Sequence, residues 1–262
     1  MKIIVCLKQV PNTNEVKIDP KTGTMIREGV PSIINPDDKN ALEAALRLKE
    51  ERGADITLLT MGPPQADYAL REALAMGADR AILLTDRAFA GADTWATSYT
   101  LAQAVKKLGE YDIIFCGRQA IDGDTAQVGP ELAEHLDIPQ VTYVKKILAL
   151  EKDKVVVERA LEDGYEVVEA RLPVLLTAVK ELNIPRYPSA YGIIAAFDEK
   201  EVEIWTAETI GGNPEKLGLK GSPTQVKRSF APKAKEAGVI IKGTAKEAVQ
   251  VLRQELLAKN VL

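Results

Sequence analysis

Four short segments hold the residues whose types and spacing suit ligand chemistry: Lys8-Gln9-Val10-Pro11, Met61-Gly62-Pro63-Pro64, Gly91-Ala92-Asp93-Thr94 and Gly117-Arg118-Gln119-Ala120-Ile121-Asp122-Gly123-Asp124-Thr125. Each follows a β-prone run. Glycines let backbone N–H groups approach a ligand closely, and Thr94 and Thr125 fall where helix N-termini could receive phosphate. Together the four segments suggest a nucleotide site. The sequence has neither the G-x-G-x-x-G fingerprint nor a G-x-x-x-x-G-K-[ST] loop. Taken singly, Gly62-Pro63-Pro64 also reads as a turn, Asp122 and Asp124 as caps or turn formers, and Arg118 as a solvated cation.

Side-chain catalysis has little material. Cys6 and Cys116 are the only cysteines, each inside an apolar run and without a CxxC partner, which predicts two buried reduced thiols. His135 is the only histidine, so a paired-histidine metal site is excluded, and no G-x-S-x-G accompanies it for a hydrolytic triad. No catalytic side chain and no metal ligand is assigned.

The elements that must position the four segments alternate β-prone and helical patterns, the signature of βαβ units and a parallel sheet. Strands are expected at Ile3–Leu7, Asp55–Thr60, Arg80–Leu84 and Asp112–Cys116, and helices near Pro36–Arg52, Pro64–Met76, Asp93–Leu108 and Thr125–His135. The first helix has Asn35 as its expected N-cap, Pro36 at its first position and Asp37 and Asp38 in its first turn, where the helix dipole favours anions. After Pro139, the runs Val141–Leu150, Val155–Ala160 and Tyr165–Ala170 read as an antiparallel meander, and Leu172–Val179 as a further buried strand. In an open parallel sheet, ligands bind beyond the carboxyl ends of the strands, where the four segments fall.

From Asn183 onward, prolines at 185, 188, 214, 223 and 232 and scattered glycines interrupt regular patterning. The fold expected is therefore α/β, a mostly parallel nucleotide-binding sheet flanked by helices with an antiparallel meander, plus an extended C-terminal arm. The division expected is a nucleotide-binding domain at 1–199 and an arm at 200–262, closed by an amphipathic helix at Ala245–Ala258 with Ala248, Val251, Leu252, Leu256 and Leu257 on its apolar stripe. Across 262 residues, 34 Lys+Arg oppose 38 Asp+Glu, a formal net charge of −4. That balance gives no global basic field for nucleic acid or an anionic membrane. The start, Met1-Lys2-Ile3-Ile4-Val5, runs into a strand-like segment without a leader pattern, and no apolar stretch approaches a membrane span, so a cytoplasmic location without membrane insertion is expected.

Gly117-Arg118-Gln119-Ala120-Ile121-Asp122-Gly123-Asp124-Thr125-Ala126-Gln127-Val128-Gly129-Pro130 closely resembles the signature segment of the electron transfer flavoprotein β subunit. Val5-Cys6-Leu7-Lys8-Gln9-Val10-Pro11, Ile34-Asn35-Pro36-Asp37-Asp38, Ala73-Leu74-Ala75-Met76-Gly77-Ala78-Asp79-Arg80 and Leu182-Asn183-Ile184-Pro185-Arg186-Tyr187 also resemble family segments, in family order. The resemblance implies pairing with an α subunit that carries FAD. It also implies an adenine nucleotide in this chain: AMP in ordinary carriers, FAD in the electron-bifurcating branch. The run Gly123–Pro130 and the run Gly91-Ala92-Asp93-Thr94-Trp95-Ala96-Thr97 look like the bifurcating form, with small residues at 123 and 126 leaving room for a dinucleotide.

Carried over by position, the nucleotide contacts would be Cys6, Leu7, Asn35, Pro36, Asp37, Asp38, Met61, Gly62, Asp93, Thr94 and Gly117 through Val128 (Gly117, Arg118, Gln119, Ala120, Ile121, Asp122, Gly123, Asp124, Thr125, Ala126, Gln127, Val128). The resemblance further implies NADH as electron donor, ferredoxin or flavodoxin as one acceptor, and an acyl-CoA-dehydrogenase-like flavoprotein as another partner. The family's partner-recognition loop corresponds to Arg186, Tyr187, Pro188, Ser189, Ala190, Tyr191 and Gly192, with Ala190 or Tyr191 near the place of the anchoring leucine of ordinary carriers. The alternative implied is a non-bifurcating carrier subunit with structural AMP. Outside the family stands a nucleotide-binding α/β enzyme, adenylating or nucleotide-hydrolysing, which the missing phosphate-loop motif disfavours.

Overall fold

The computed structural model describes residues 1–12, 31–227 and 238–262. Its contacts divide the chain into two units: the larger comprises described residues 1–12 and 31–227, and the smaller includes 238–262. The part of the expected arm at 228–237, with Pro232, lies outside the described residues.

The larger unit is built on a nine-stranded sheet of order β11-β5-β4-β1-β6-β10-β7-β8-β9. Its parallel strands are β1 (Lys2–Cys6), β4 (Asp55–Met61), β5 (Arg80–Leu84), β6 (Ile113–Gly117), β10 (Val174–Ala178) and β11 (Val202–Trp205), with β7 (Gln140–Leu150) parallel to β10. β8 (Lys154–Ala160) and β9 (Tyr165–Arg171) complete the antiparallel meander. A two-stranded antiparallel pair, β2 (Gln9–Pro11) and β3 (Ser32–Ile34), follows β1.

The central strands are continuous apolar runs because both sheet faces are covered. In β1, Ile3 and Val5 pack with α1 (Pro36–Arg52) and α2 (Asp67–Met76), while Ile4 and Cys6 face α3 (Thr94–Leu108) and α4 (Val128–Leu136). Helix α1 starts and stops where its residues dictate. Pro36 needs no amide partner in the first turn, and Gly53 adopts the left-handed φ of 68° that closes the last turn on the Lys49 carbonyl at 2.9 Å.

Three differences from the expected elements have local causes. α4 begins at Val128 rather than Thr125, because Asp124 and Ala126 both take left-handed φ values of 54°, which a helix cannot contain. The region after Asn183 is more regular than its composition suggests: α5 (Ala190–Asp198) is capped by the Ser189 hydroxyl accepting from Gly192 N at 2.9 Å, and β11 pairs with β5. Residues 200–227 accordingly group with the larger unit, beyond the expected boundary at 199.

In the smaller unit, α6 (Ala245–Ala258) opens with a capping box between Thr244 and Glu247, and none of its residues is buried. No helix among the described residues is long and apolar enough to cross a membrane.

Candidate functional site

The carboxyl ends of β1, β4 and β6 open into a cavity of about 810 Å³. Its floor includes Cys6, Leu7, Leu59, Met61, Gly62 and Cys116, and its walls include Gly117–Ala120 and Gly123–Gly129. Cys6 and Cys116 face each other across the β1–β6 pair. The Cys6 hydrogen bond, together with burial, pushes the Cys116 thiol well above its usual value, so that thiol is neutral and weakly nucleophilic.

One end of the cavity is suited to an anion. The N-cap of α4, Gln127, makes no side-chain cap bond, which leaves the first amides of the helix, Val128 and Gly129, without an intrahelical partner. Ala126 is left-handed and Gln127 right-handed, an alternation that turns successive N–H groups toward one concavity. Gly129 is required: a Cβ there would lie 2.8 Å from Thr177 Cγ2, so a larger residue would push α4 off β10. Arg118 adds positive charge to the wall. Its Nε stands 3.4 Å from Asp37 Oδ2, an ion-pair distance without hydrogen-bond alignment, so that N–H is buried without an acceptor in the chain.

The 117–122 loop is tied down from α1. Asp38, fully buried, accepts from Lys8 N (2.8 Å) with one oxygen and from Gly117 N (2.9 Å) with the other. Burial pushes this carboxyl up to about 7, against the downward pull of Asn35 and the two amides. A Cβ on Gly117 would sit 2.2 Å from Asp38 Oδ1, so only glycine allows this approach. Asn35 holds the N-cap position of α1 as expected, but its side chain makes no cap bond. Its Nδ2 donates to Gln119 O (2.8 Å) and its Oδ1 accepts from Ile121 N (3.1 Å). Lys8 Nζ reaches Asp122 at 2.6 Å.

The α3 side is differently equipped. Asp93 caps α3 by accepting from Ala96 N (3.0 Å) and also binds Thr224 N (2.9 Å) and Oγ1 (2.7 Å). Burial opposes its ionisation, but these bonds outweigh it and hold its carboxyl below the usual range. That helix end therefore already holds a carboxylate, and the Thr94 hydroxyl donates to Glu131 Oε1 at 3.1 Å. Thr125 precedes α4 and opens no helix. Burial raises Glu131 and lowers His135, whose ring lies 4.4 Å from that of Trp95.

A family model described as the electron transfer flavoprotein domain matches residues 22–209. The chain belongs to the electron transfer flavoprotein family. An electron transfer flavoprotein subunit beta of Thermoanaerobacterium thermosaccharolyticum is 63% identical over 262 residues, covering 100% of both chains. The caffeyl-CoA reductase-Etf complex subunit CarD of Acetobacterium woodii is 60% identical, again over 100% of both. The acryloyl-CoA reductase electron transfer subunit gamma of Anaerotignum propionicum is 47% identical, also over 100% of both.

Of the residues assigned from the family signature, Cys6, Leu7, Asp38, Met61, Gly62, Asp93, Thr94, Gly117–Ala120 and Gly123–Val128 line the cavity. Asn35, Pro36, Asp37, Ile121 and Asp122 do not line it; Asn35, Asp37 and Asp122 are tied instead to the loop or its neighbours. Sequence reasoning missed Trp95, Glu131, Pro223, Thr224 and Val226, which also line it. The last three come from the segment read as arm. A signal was present in Gly218 and Gly221, where a Cβ would strike the Ala88 carbonyl and the Lys216 backbone, marking a tight return of the chain.

In this flavoprotein subunit the segment from Asn183 to Arg186 is clamped to α1. Asn40 and Asn183 exchange side-chain to backbone bonds at 2.8 and 2.9 Å, and Arg186 bonds Glu43 through Nε (2.8 Å) and N (3.1 Å) while also reaching Glu50. Ile184, Tyr187 and Tyr191 remain 86%, 94% and 74% exposed.

Proposed function

We propose that this chain is the β subunit of an electron-bifurcating flavoprotein. In this reading it pairs with an α subunit, takes electrons from NADH, and divides them between ferredoxin or flavodoxin and an acyl-CoA-dehydrogenase-like partner. The observation that supports FAD over AMP is the cavity itself. Its roughly 810 Å³ lies in the upper part of the range of about 300–1,000 Å³ typical of small-molecule sites.

FAD, when bound, supplies the hydride-accepting and one-electron chemistry that no side chain here provides. The chain's own residues bind and orient. The Val128 and Gly129 amides and the Ala126–Gln127 concavity would hold phosphate, with the Arg118 guanidinium adding charge. Gly123, with nothing within 4 Å of a Cβ position, leaves the wall open beside them. Leu59, Phe89, Leu101 and Val226 exclude water from the interior of the cavity. The exposed Tyr187 and Tyr191 would meet the dehydrogenase-like partner, and the uncovered stripe of α6 would pack on the α subunit. Two relatives, subunits of caffeyl-CoA and acryloyl-CoA reductase systems, support an acyl-CoA-linked partner.

The test is to co-express the chain with its α subunit, release the nucleotides and count them. Two FAD per heterodimer, with NADH-dependent ferredoxin reduction when the dehydrogenase is added, is the expected result. One FAD and one AMP would make the chain a simple carrier subunit.

A further inference from the structure

The quartet Asn35-Pro36-Asp37-Asp38 stands at the N-terminus of α1, and only Asp38 reaches the cavity lining. The bonds of the quartet nonetheless converge on one loop. Asp38 takes the amide of Gly117, Asp37 pairs with Arg118, and Asn35 takes both the carbonyl of Gln119 and the amide of Ile121. Asp38 also holds the Lys8 amide, so the ends of β1 and β6 are tied to the same carboxylate.

The side-chain polar atoms of Asn35 and Asp38 are occupied by the loop rather than turned to a phosphate. Both Asp38 oxygens are committed to backbone amides, and a carboxylate repels phosphate. Asn35 is fully buried with both ends of its amide engaged. The arrangement is well suited to shaping the wall, since four points of attachment within five residues leave the loop little freedom before a ligand arrives.

We propose that the side chains of Asn35 and Asp38 act as positioning groups, which hold the 117–122 loop in its ligand-ready shape through its backbone. This rests on the reading of the cavity as a nucleotide site. Loss of either side chain strands buried backbone groups of the loop, so nucleotide affinity is expected to fall about tenfold or more for Asn35→Ala and for Asp38→Asn. In Asp38→Asn the amide nitrogen would face a backbone N–H where the carboxylate accepted one.

The test uses the co-expressed heterodimer with its β nucleotide released, and FAD and AMP each added back while affinity is measured from pH 5.5 to 8.5. Wild type is expected to bind more tightly as pH rises through 7, and Asp38→Asn to lose that dependence. A role in fold stability alone would not produce that pattern. The groups facing the Asp38 carboxyl are the Asp37 carboxyl and Asn35 side chain on α1, the Lys8 amide after β1, and the Gly117 amide and Cys116 thiol on β6. Asp37→Asn is therefore measured beside it and is expected to keep the pH dependence.

Should a variant fail to fold, hydrogen exchange of the nucleotide-free wild type decides. Protected Gly117 and Ile121 amides are expected, and fast exchange at both overturns the proposal. Variants that bind within twofold of wild type overturn the positioning role alone. A wild-type heterodimer that neither carries nor takes up a nucleotide in this chain overturns the cavity reading, and this proposal with it.

Discussion

Asp38 carries a measurable signature in the stability of the fold. Its carboxyl is raised from an ordinary 3.8 to about 7 by burial, so between those values the folded chain holds a proton that the unfolded chain releases. Stability from this group is therefore fully present below the unfolded value and is lost as pH rises through 7. From pH 5 to pH 8 about two units of that interval are crossed, at about 1.36 kcal/mol each, or about 2.7 kcal/mol. Asp38→Asn removes the titration while leaving the remaining groups in place. The wild-type minus variant difference, taken from urea unfolding of the nucleotide-free protein, should become less favourable to wild type by about 2.7 kcal/mol between those pH values. The slope has the opposite sign to that expected for nucleotide binding, because the neutral acid is cheaper to bury while only the carboxylate accepts both amides. A difference that stays constant from pH 5 to 8, or a carboxyl band that still reports ionised Asp38 at pH 5, would refute the reasoning.

Three further outcomes follow from the geometry. Glu43→Ala removes a nearly buried acceptor from Arg186 and Arg47; with Arg186 about one third exposed, the loss should be about 2 kcal/mol, seen as a Tm lower by about 4–8 °C. Burial alone would raise Glu43, but the arginine bonds hold it below its usual 4.5, so the deficit of this variant should shrink as pH falls below 4.5, and a growing deficit would contradict the assignment. Gly117→Ala forces a Cβ against Asp38 and should cost about 1–3 kcal/mol and empty the nucleotide site on purification, where full nucleotide content would count against the close approach. Ala126→Gly relieves a left-handed alanine and should raise the stability of nucleotide-free protein by up to about 1 kcal/mol, checked by calorimetry; a lower Tm would show that the residue is unstrained.

Where local signals agreed, the sequence was easily read. α1 spans the residues that its proline, first-turn acids and terminal glycine indicate, and the meander follows the charged turns between its strands. The strand ends led to the cavity because a parallel sheet has only one edge where such loops converge. Harder to read were features decided by distant partners. β11 is four residues long and is a strand because β5 offers an open edge, and α5 has apolar residues all round, so no period reveals it. The bonds from Asn35 and Asp38 to the 117–122 loop were hidden for the same reason. These residue types suit a helix cap, and only the folded chain brings residues 117–121 within reach of them.

Helix α1 serves two tasks along its length: its first turn holds the 117–122 loop, while Asn40, Glu43 and Glu50 farther along hold the segment that presents Ile184 and Tyr187. On the proposed reading of residues 186–192 as the partner loop, exchanging partner preference between relatives means transplanting that loop with Asn183 and the matching face of α1. A loop moved alone would arrive without its counterpart side chains, and a helix redesigned to receive it would carry any change in pitch or rotation back to the cavity mouth. The natural unit of grafting is the helix and both of its passengers.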